Sequence, residues 1–251
     1  MMKVLFVGES WITQESHVKG WDLVTLCRSE ERVAVDAMNA LEQAGIEIDY
    51  VSNADLHRLF PETVEELKKY SAIIMSDVGS NTMTQHPEVQ FKSLRKQNNL
   101  LNIKEYVAQG GGLLMFGGYM SFSGIENKAR YAMTPLAEVL PVTMLHYDDR
   151  MEHPEGVYPE VKIKNHVMLD GVNAKKWPYI LGYNLIQAKP QAEEVLTVEG
   201  NTLLAGMDYG KGRSIAFSTD CAPHWMPSEF STWEGFQKLL PNMVKWLAKE
   251  I

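Results

Sequence analysis

Three groups of residues in this 251-residue chain are of types suited to chemistry. The first is the turn Gly117-Gly118-Tyr119-Met120-Ser121, which follows the apolar run Gly112–Phe116. A buried strand entering a glycine-rich turn is how a nucleophile elbow is built. The amides of Gly118 to Met120 would then face a cleft and hold an anion or a carbonyl oxygen. Neither Ser121 nor Ser123 stands in the G-x-S-x-G setting of an elbow serine. The alternative is structural: the two glycines permit the turn and Ser121 caps the helix after it. The second group is Asp220-Cys221-Ala222-Pro223-His224-Trp225. Cys221 and His224 could pair as thiolate and imidazolium, which would lower the thiol pKa. The alternative is a small buried Cys in a proline-stiffened loop, with a His bonded to backbone. The third group, His146-Tyr147-Asp148-Asp149-Arg150-Met151-Glu152-His153, holds metal-ligand types. A zinc site needs convergence, which a sequence-local cluster does not supply. It reads first as a solvated loop with ion pairs, and no metal is expected. His166 and Asp170 alone say little. The Gly110–Gly118 cluster matches neither a dinucleotide fingerprint nor a P-loop, so no cofactor is expected.

These groups need a frame. Met2–Gly8, Ala72–Ser76 and Gly112–Phe116 are continuous apolar runs, as expected of strands buried on both faces. Ile46–Val51 is a further strand. Helices are expected over Glu30–Ala44, Glu62–Lys69, Ser93–Gln109 and Phe236–Lys249, the third with Leu94, Leu101, Ile103, Tyr106 and Val107 on its core side. Glu9–Gly20 reads as a polar loop. Strand–helix alternation implies parallel strands with right-handed crossovers. Ligands in such sheets sit beyond the carboxyl ends of the strands. That marks Glu9-Ser10-Trp11, Asn53-Ala54-Asp55, Asp77-Val78-Gly79 and Gly118–Ser121 as pocket wall, with Asp77 a candidate ligand contact. After Ile125 the strands are short: Val139–Met144, Val157–Ile163, Val195–Val198, Leu203–Asp208 and Ser214–Ser218, the last two joined by a hairpin turn at Tyr209–Gly212. If Ser214–Ser218 is parallel to the earlier strands, Asp220, Cys221 and His224 reach the same sheet edge as the elbow. No linker or repeat interrupts residues 1–251, which read as one domain.

With 45% hydrophobic residues the chain can bury a sizeable core. The formal charge of −8, from 32 acids and 24 bases, is a poor basis for nonspecific nucleic-acid binding. The two cysteines, Cys27 and Cys221, form no metal or disulfide motif and suit a reducing compartment. The N-terminus lacks a signal-peptide core, and the uncharged run Tyr106–Ile125 carries six glycines, so no membrane span is expected. Together these readings point to the cytoplasm.

The opening strand, GGGLLMFGGYMSFSG at the elbow, NHVMLDG at Asn165–Gly171 and YGKGRSIAFSTDCAPHW at Tyr209–Trp225 resemble class I glutamine amidotransferase-like proteins. More narrowly they resemble an uncharacterised bacterial cytoplasmic branch of that class. The resemblance covers nearly the whole chain and implies a flavodoxin-like three-layer α/β/α sandwich with an antiparallel C-terminal elaboration. Active members of the wider class carry a Cys on the elbow, followed by a His and a Glu near the C-terminus. Here the elbow position falls on Tyr119, or on Met120 if the turn is one residue longer. Met is no nucleophile of this kind, and a tyrosine with a pKa of about 10 is a poor one near neutrality.

Three functional readings follow. A non-catalytic binding module would take a small polar or sugar-like ligand, or a protein partner, at Gly118, Tyr119, Met120, Ser121 and Asp77. A hydrolase or transferase would use Asp220, Cys221 and His224. A structural subunit would form a homo-oligomer through Trp11, Trp21, Trp225 and Trp233.

Overall fold

The computed structural model describes residues 2–30, 33–173 and 175–251. Its strands are β1 (Lys3–Gly8), β2 (Trp11–Lys19), β3 (Asp22–Glu30), β4 (Glu47–Val51), β5 (Ala72–Ser76), β6 (Gly112–Phe116), β7 (Val142–Thr143), β8 (Arg150–Val157), β9 (Glu160–Val161), β10 (Ile180–Asn184), β11 (Gln187–Ala188), β12 (Glu193–Val198), β13 (Asn201–Tyr209) and β14 (Gly212–Phe217). Eight of them form one sheet in the order β4-β1-β5-β6-β14-β13-β12-β9. The first five are mutually parallel, and β14 to β9 continue antiparallel. This is an α/β flavodoxin-like fold.

The apolar runs explain why β1, β5 and β6 lie at the centre. Side chains alternate across a strand, so each run serves two cores. Val4, Phe6, Ala72, Ile74, Leu114 and Phe116 pack on one face with the helices Val35–Gln43 and Glu234–Leu247. Leu5, Val7, Ile73, Met75, Leu113 and Met115 pack on the other, against Leu100, Ile103, Tyr106 and Val107 of helix Asn99–Ala108. Tyr209–Gly212 is the hairpin joining β13 to β14, as its glycines suggest.

Several elements differ from the sequence reading. The segment read as a polar loop at Glu9–Gly20 is largely strand, and β2 pairs antiparallel with β3 in a hairpin whose residues are nearly all exposed. The helix expected from Glu30 begins at Val35; Glu30 ends β3, and residues 31 and 32 lie outside the described residues. The helix expected over Ser93–Gln109 shortens to Asn99–Ala108, and a separate helix, Pro87–Lys92, ends just before Ser93. Ser93, in the left-handed region at φ 54°, closes Pro87–Lys92, and the Asn98 side chain caps Asn99–Ala108 by accepting from the Leu100 amide. Leu94 and Leu101 are consequently exposed. The expected strand Val139–Met144 shrinks to β7, because Leu136–Val139 forms a helical turn. Val157–Ile163 breaks into the end of β8 and the two-residue β9. No helix among the described residues is long and apolar enough to cross a membrane.

Candidate functional site

Parallel topology brings the carboxyl ends of β1, β5, β6 and β14 side by side. The chain leaves β1 at Gly8 and turns at Glu9, whose backbone is left-handed at φ 48°. It leaves β5 at Asp77, also left-handed at φ 45°. The packing at these exits is too close for side chains: a Cβ at Gly117 would stand 1.9 Å from the Ser218 carbonyl oxygen. At Gly118, with φ 141°, it would stand 2.8 Å from Asp77 Oδ1. The glycines of the elbow therefore serve close approach between strand ends.

The elbow is fastened from three sides. Asn184 at the end of β10 accepts from the Gly118 amide (3.0 Å) and donates to the Gly118 carbonyl (3.2 Å) and to Asp149 Oδ1 (2.7 Å). Asp149, buried, also accepts from the Ser123 and Gly124 amides at 2.9 and 2.8 Å. Asp77 Oδ1 accepts from the Met120 amide at 2.6 Å, and Ser121 Oγ accepts from the Asp77 amide at 3.2 Å. Two expectations are corrected here. The Gly118 and Met120 amides are engaged by side chains and do not form an open anion hole. Ser121 is no helix cap: it ties the elbow to the exit of β5, and the next helical turn, Ile125–Asn127, follows Gly124 without a side-chain cap.

Beneath the elbow lies a buried acidic group. Glu9, Asp220 and Cys221 offer ligand-type atoms all within 4.8 Å of one another. Ser76 Oγ donates to Glu9 Oε2 at 2.6 Å and lies 3.2 Å from Cys221 Sγ. Asp220 Oδ1 accepts from the Cys221 and Ala222 amides at 2.6 and 3.1 Å. Burial pushes the Glu9 carboxyl well above the ordinary range, reinforced by the charges of Asp220 and Asp77. Burial raises Asp220 likewise, helped by Asp77 and opposed by the two amides. Two adjacent buried carboxyls cannot both ionise cheaply, so they share a proton.

Burial, with Glu9 and Asp220 beside it, pushes the Cys221 thiol upward as well. The thiolate–imidazolium pairing considered from sequence is therefore overturned: Cys221 faces carboxyls and Ser76, and is held as a thiol. His224 faces the elbow instead. Its ring stands edge-on to Tyr119, centroids 4.3 Å apart, and stacks on Trp225 at 5.2 Å. Its Nδ1 lies 3.8 Å from Asp220 Oδ2, too long for a hydrogen bond. Burial lowers the His224 pKa despite the nearby carboxylates, so near neutrality the ring is an uncharged donor and acceptor.

The outer rim comes from β8. The Arg150 guanidinium lies 4.7 Å over the Tyr119 ring and is held in two hydrogen bonds by Asp148, at 3.0 and 2.8 Å. Glu152 accepts from the Trp225 indole at 3.0 Å. Partial burial and hydrogen bonding to Glu152 raise the Tyr119 hydroxyl above its ordinary value. Tyr119 is thus even less a nucleophile than its type suggests.

The segment His146–His153 therefore holds no common centre and is not a uniformly solvated loop. Asp149 anchors the elbow, Arg150 and Glu152 frame it, His146 is exposed, and His153 stacks on Tyr183 at 5.6 Å. His166 caps a short turn by accepting from the Met168 amide at 3.2 Å. Of the four tryptophans considered for an interface, Trp225 is wholly buried, and Trp233 packs on Trp177 at 5.0 Å. Trp11 and Trp21 are exposed. Asn184 was not singled out from sequence, Asp149, Arg150 and Glu152 only as part of the His146–His153 group, and Glu9 only as pocket wall. A carboxylate at a strand end was the available signal for Glu9; Asn184 had none.

Comparison with known proteins agrees with this frame. The chain matches the cytoplasmic protein STM3548 of Salmonella typhimurium with 42% identity and a TM-score of 0.94, covering 98% of this chain and 99% of that one. It matches the cytoplasmic protein STM1381 of Salmonella typhimurium LT2 with 40% identity and a TM-score of 0.93, over 98% and 99%. A "Putative thua-like protein" of Bacteroides uniformis shares the fold at 14% identity and a TM-score of 0.58, over 98% and 91%. No curated protein matches significantly. The family model described as "Putative glutamine amidotransferase", GATase1-like, matches residues 3–249. With the strand order and elbow described above, the chain belongs to this glutamine amidotransferase-like family.

Proposed function

We propose that this chain is a binding module on the amidotransferase scaffold, taking a small, hydroxyl-rich polar ligand at the face made by Tyr119, His224, Arg150 and Glu152. One observation carries the reading: the elbow holds a tyrosine whose proton is retained, and its Gly118 and Met120 amides are already bonded to Asn184 and Asp77. Neither the attacking group nor an open oxyanion site of amide transfer is on offer. What the face does offer suits recognition. A neutral imidazole, a guanidinium and a carboxylate supply donors and acceptors beside two aromatic rings.

The test is thermal shift with a panel of neutral mono- and disaccharides. A sugar at 100 times its Kd should stabilise the protein by about 2.7 kcal/mol. Tyr119→Ala and His224→Ala should each abolish the shift. A panel that never shifts the native protein, or a shift that survives both substitutions, contradicts the reading.

A second reading has its own observation. Asp220 Oδ2 lies 3.8 Å from His224 Nδ1, burial raises both Asp220 and Glu9, and paired carboxyls with separated protonation states are suited to acid–base work. A hydrolase or transferase of this kind would use Asp220 and His224 with Glu9, and not Cys221. Turnover of any panel sugar, lost in Glu9→Gln while binding persists, would favour it.

A further inference from the structure

Among the described residues the β2–β3 hairpin forms its own two-stranded sheet, so β3 presents one open edge of amides and carbonyls. Its exposed side chains include Leu23, Val24 and Leu26. A two-stranded hairpin is marginal in water, and the uncharged stretch Leu23–Cys27 of this edge invites another strand.

The sequence of β3 selects its partner. Read outward from Thr25, the strand is Val24 and Leu26, then Leu23 and Cys27, then Asp22 and Arg28. Two copies paired antiparallel about a two-fold axis at Thr25 place Val24 opposite the partner's Leu26 and Leu23 opposite the partner's Cys27. Asp22 falls opposite the partner's Arg28, and symmetry repeats each pair. The two side chains of each pair share a face of the joined sheet, as the pleat requires. The neighbouring registers fail. An axis at Leu26 sets Asp22 against the partner's Glu30, like charges face to face. An axis at Val24 leaves Arg28 without an acid opposite. A one-residue slip would put opposing side chains on different faces.

We propose that β3 is a homodimerisation edge, joining two copies in a four-stranded sheet of order β2-β3-β3-β2 with Thr25 on the axis. The partner is a second copy of this chain because the strand is complementary in charge and apolar pattern to its own reverse. Arg28 already has Glu15 across the hairpin at 2.8 Å, which pre-orders its side chain for the second acid.

The experiment uses the full chain. Light scattering of the native protein should give a dimer. With Cys27→Ser as background, Thr25→Cys should cross-link into a covalent dimer under mild oxidation, the two cysteines being directly opposed. Ser16→Cys, on the same face but one strand further out in each copy, is separated from its counterpart by about 14 Å and should not cross-link. Asp22→Lys and Arg28→Asp should each weaken the dimer about tenfold, two attractive pairs becoming two repulsive ones, and together they should restore it. Within one copy these residues stand about 20 Å apart along the strand, so rescue can arise only across the axis. A monomer, a dimer in which Thr25→Cys cross-links no faster than Ser16→Cys, or a charge exchange without rescue would overturn the proposal.

Discussion

Glu9 is 1% exposed and Trp21 is fully exposed, yet one short strand joins them. On the near side the chain has just left a strand buried from Val4 to Gly8, and Glu9 accepts a hydrogen bond from Ser76. On the far side the hairpin places Ile12, Val18, Leu23 and Leu26 in water. The difference teaches where sequence changes should matter. At the strand ends geometry is over-determined by backbone contacts and buried hydrogen bonds, so substitutions act on folding. On the hairpin they should leave the fold of one copy almost untouched and act on what the hairpin meets.

The largest effect belongs to Gly117→Ala. A Cβ 1.9 Å from a carbonyl oxygen and 2.8 Å from Asn184 Oδ1 cannot be accommodated without separating β6 from β14. We expect at least about 4 kcal/mol of lost stability, or no folded protein, read by denaturant unfolding. Asp149→Ala comes next. It strips an acceptor from two buried amides and from the Asn184 side chain, and should cost about 3 kcal/mol, with Asp149→Asn costing less. A loss below about 1 kcal/mol would mean that water replaces the carboxylate and that the elbow is looser than described.

Glu9→Gln gives a smaller, pH-dependent effect of definite sign. The Glu9 carboxyl is raised in the folded state, so folding retains a proton that the unfolded chain releases above about pH 4. Stability from that proton is complete below this pH and is lost as pH rises through the folded value. Asp77 and Asp149, also raised by burial, act in the same sense. His224, lowered by burial, acts oppositely, but only below about pH 6.5. Between about pH 4 and the folded value the native protein should therefore lose stability, by at most about 1.4 kcal/mol per pH unit for this one proton. Gln keeps the acceptor for Ser76 and supplies a fixed donor in place of the proton. Its curve should be flatter through that window; parallel curves would refute the shared proton. The smallest effect is on the hairpin: Trp21→Ser should change stability by less than about 0.5 kcal/mol in dilute solution.

The same contrast explains what could be read in advance. β1, β5 and β6 were legible because strands buried on both faces need uninterrupted apolar runs, and MKVLFVG, AIIMS and GLLMF are such runs. β2 was not, because WITQESHVK has no core to face within its own chain and so shows no alternation. The helix Asn99–Ala108 was extended too far back, since its capping Asn98 lies within a run of residues that all tolerate a helix. At the site, the elbow and the Asp220–His224 segment could be placed at one sheet edge once β14 was parallel. The fastening by Asn184 and Asp149 could not, because it depends on a two-stranded sheet, β8 with β10, whose short strands carry little periodicity. Nor could the burial of Cys221 beside Glu9, which comes from across the fold.

The central claim is that the amidotransferase frame is retained here without its attacking group, and ammonia release from L-glutamine by the purified protein tests it most directly. No release above that of a heat-denatured control is expected across pH 6 to 9 (about the range in which an activated thiol would work), and Cys221→Ser should change nothing. Turnover that disappears in Cys221→Ser would show that the buried thiol reaches substrate; turnover that disappears in Tyr119→Phe would show that the elbow tyrosine attacks, and either would contradict the account.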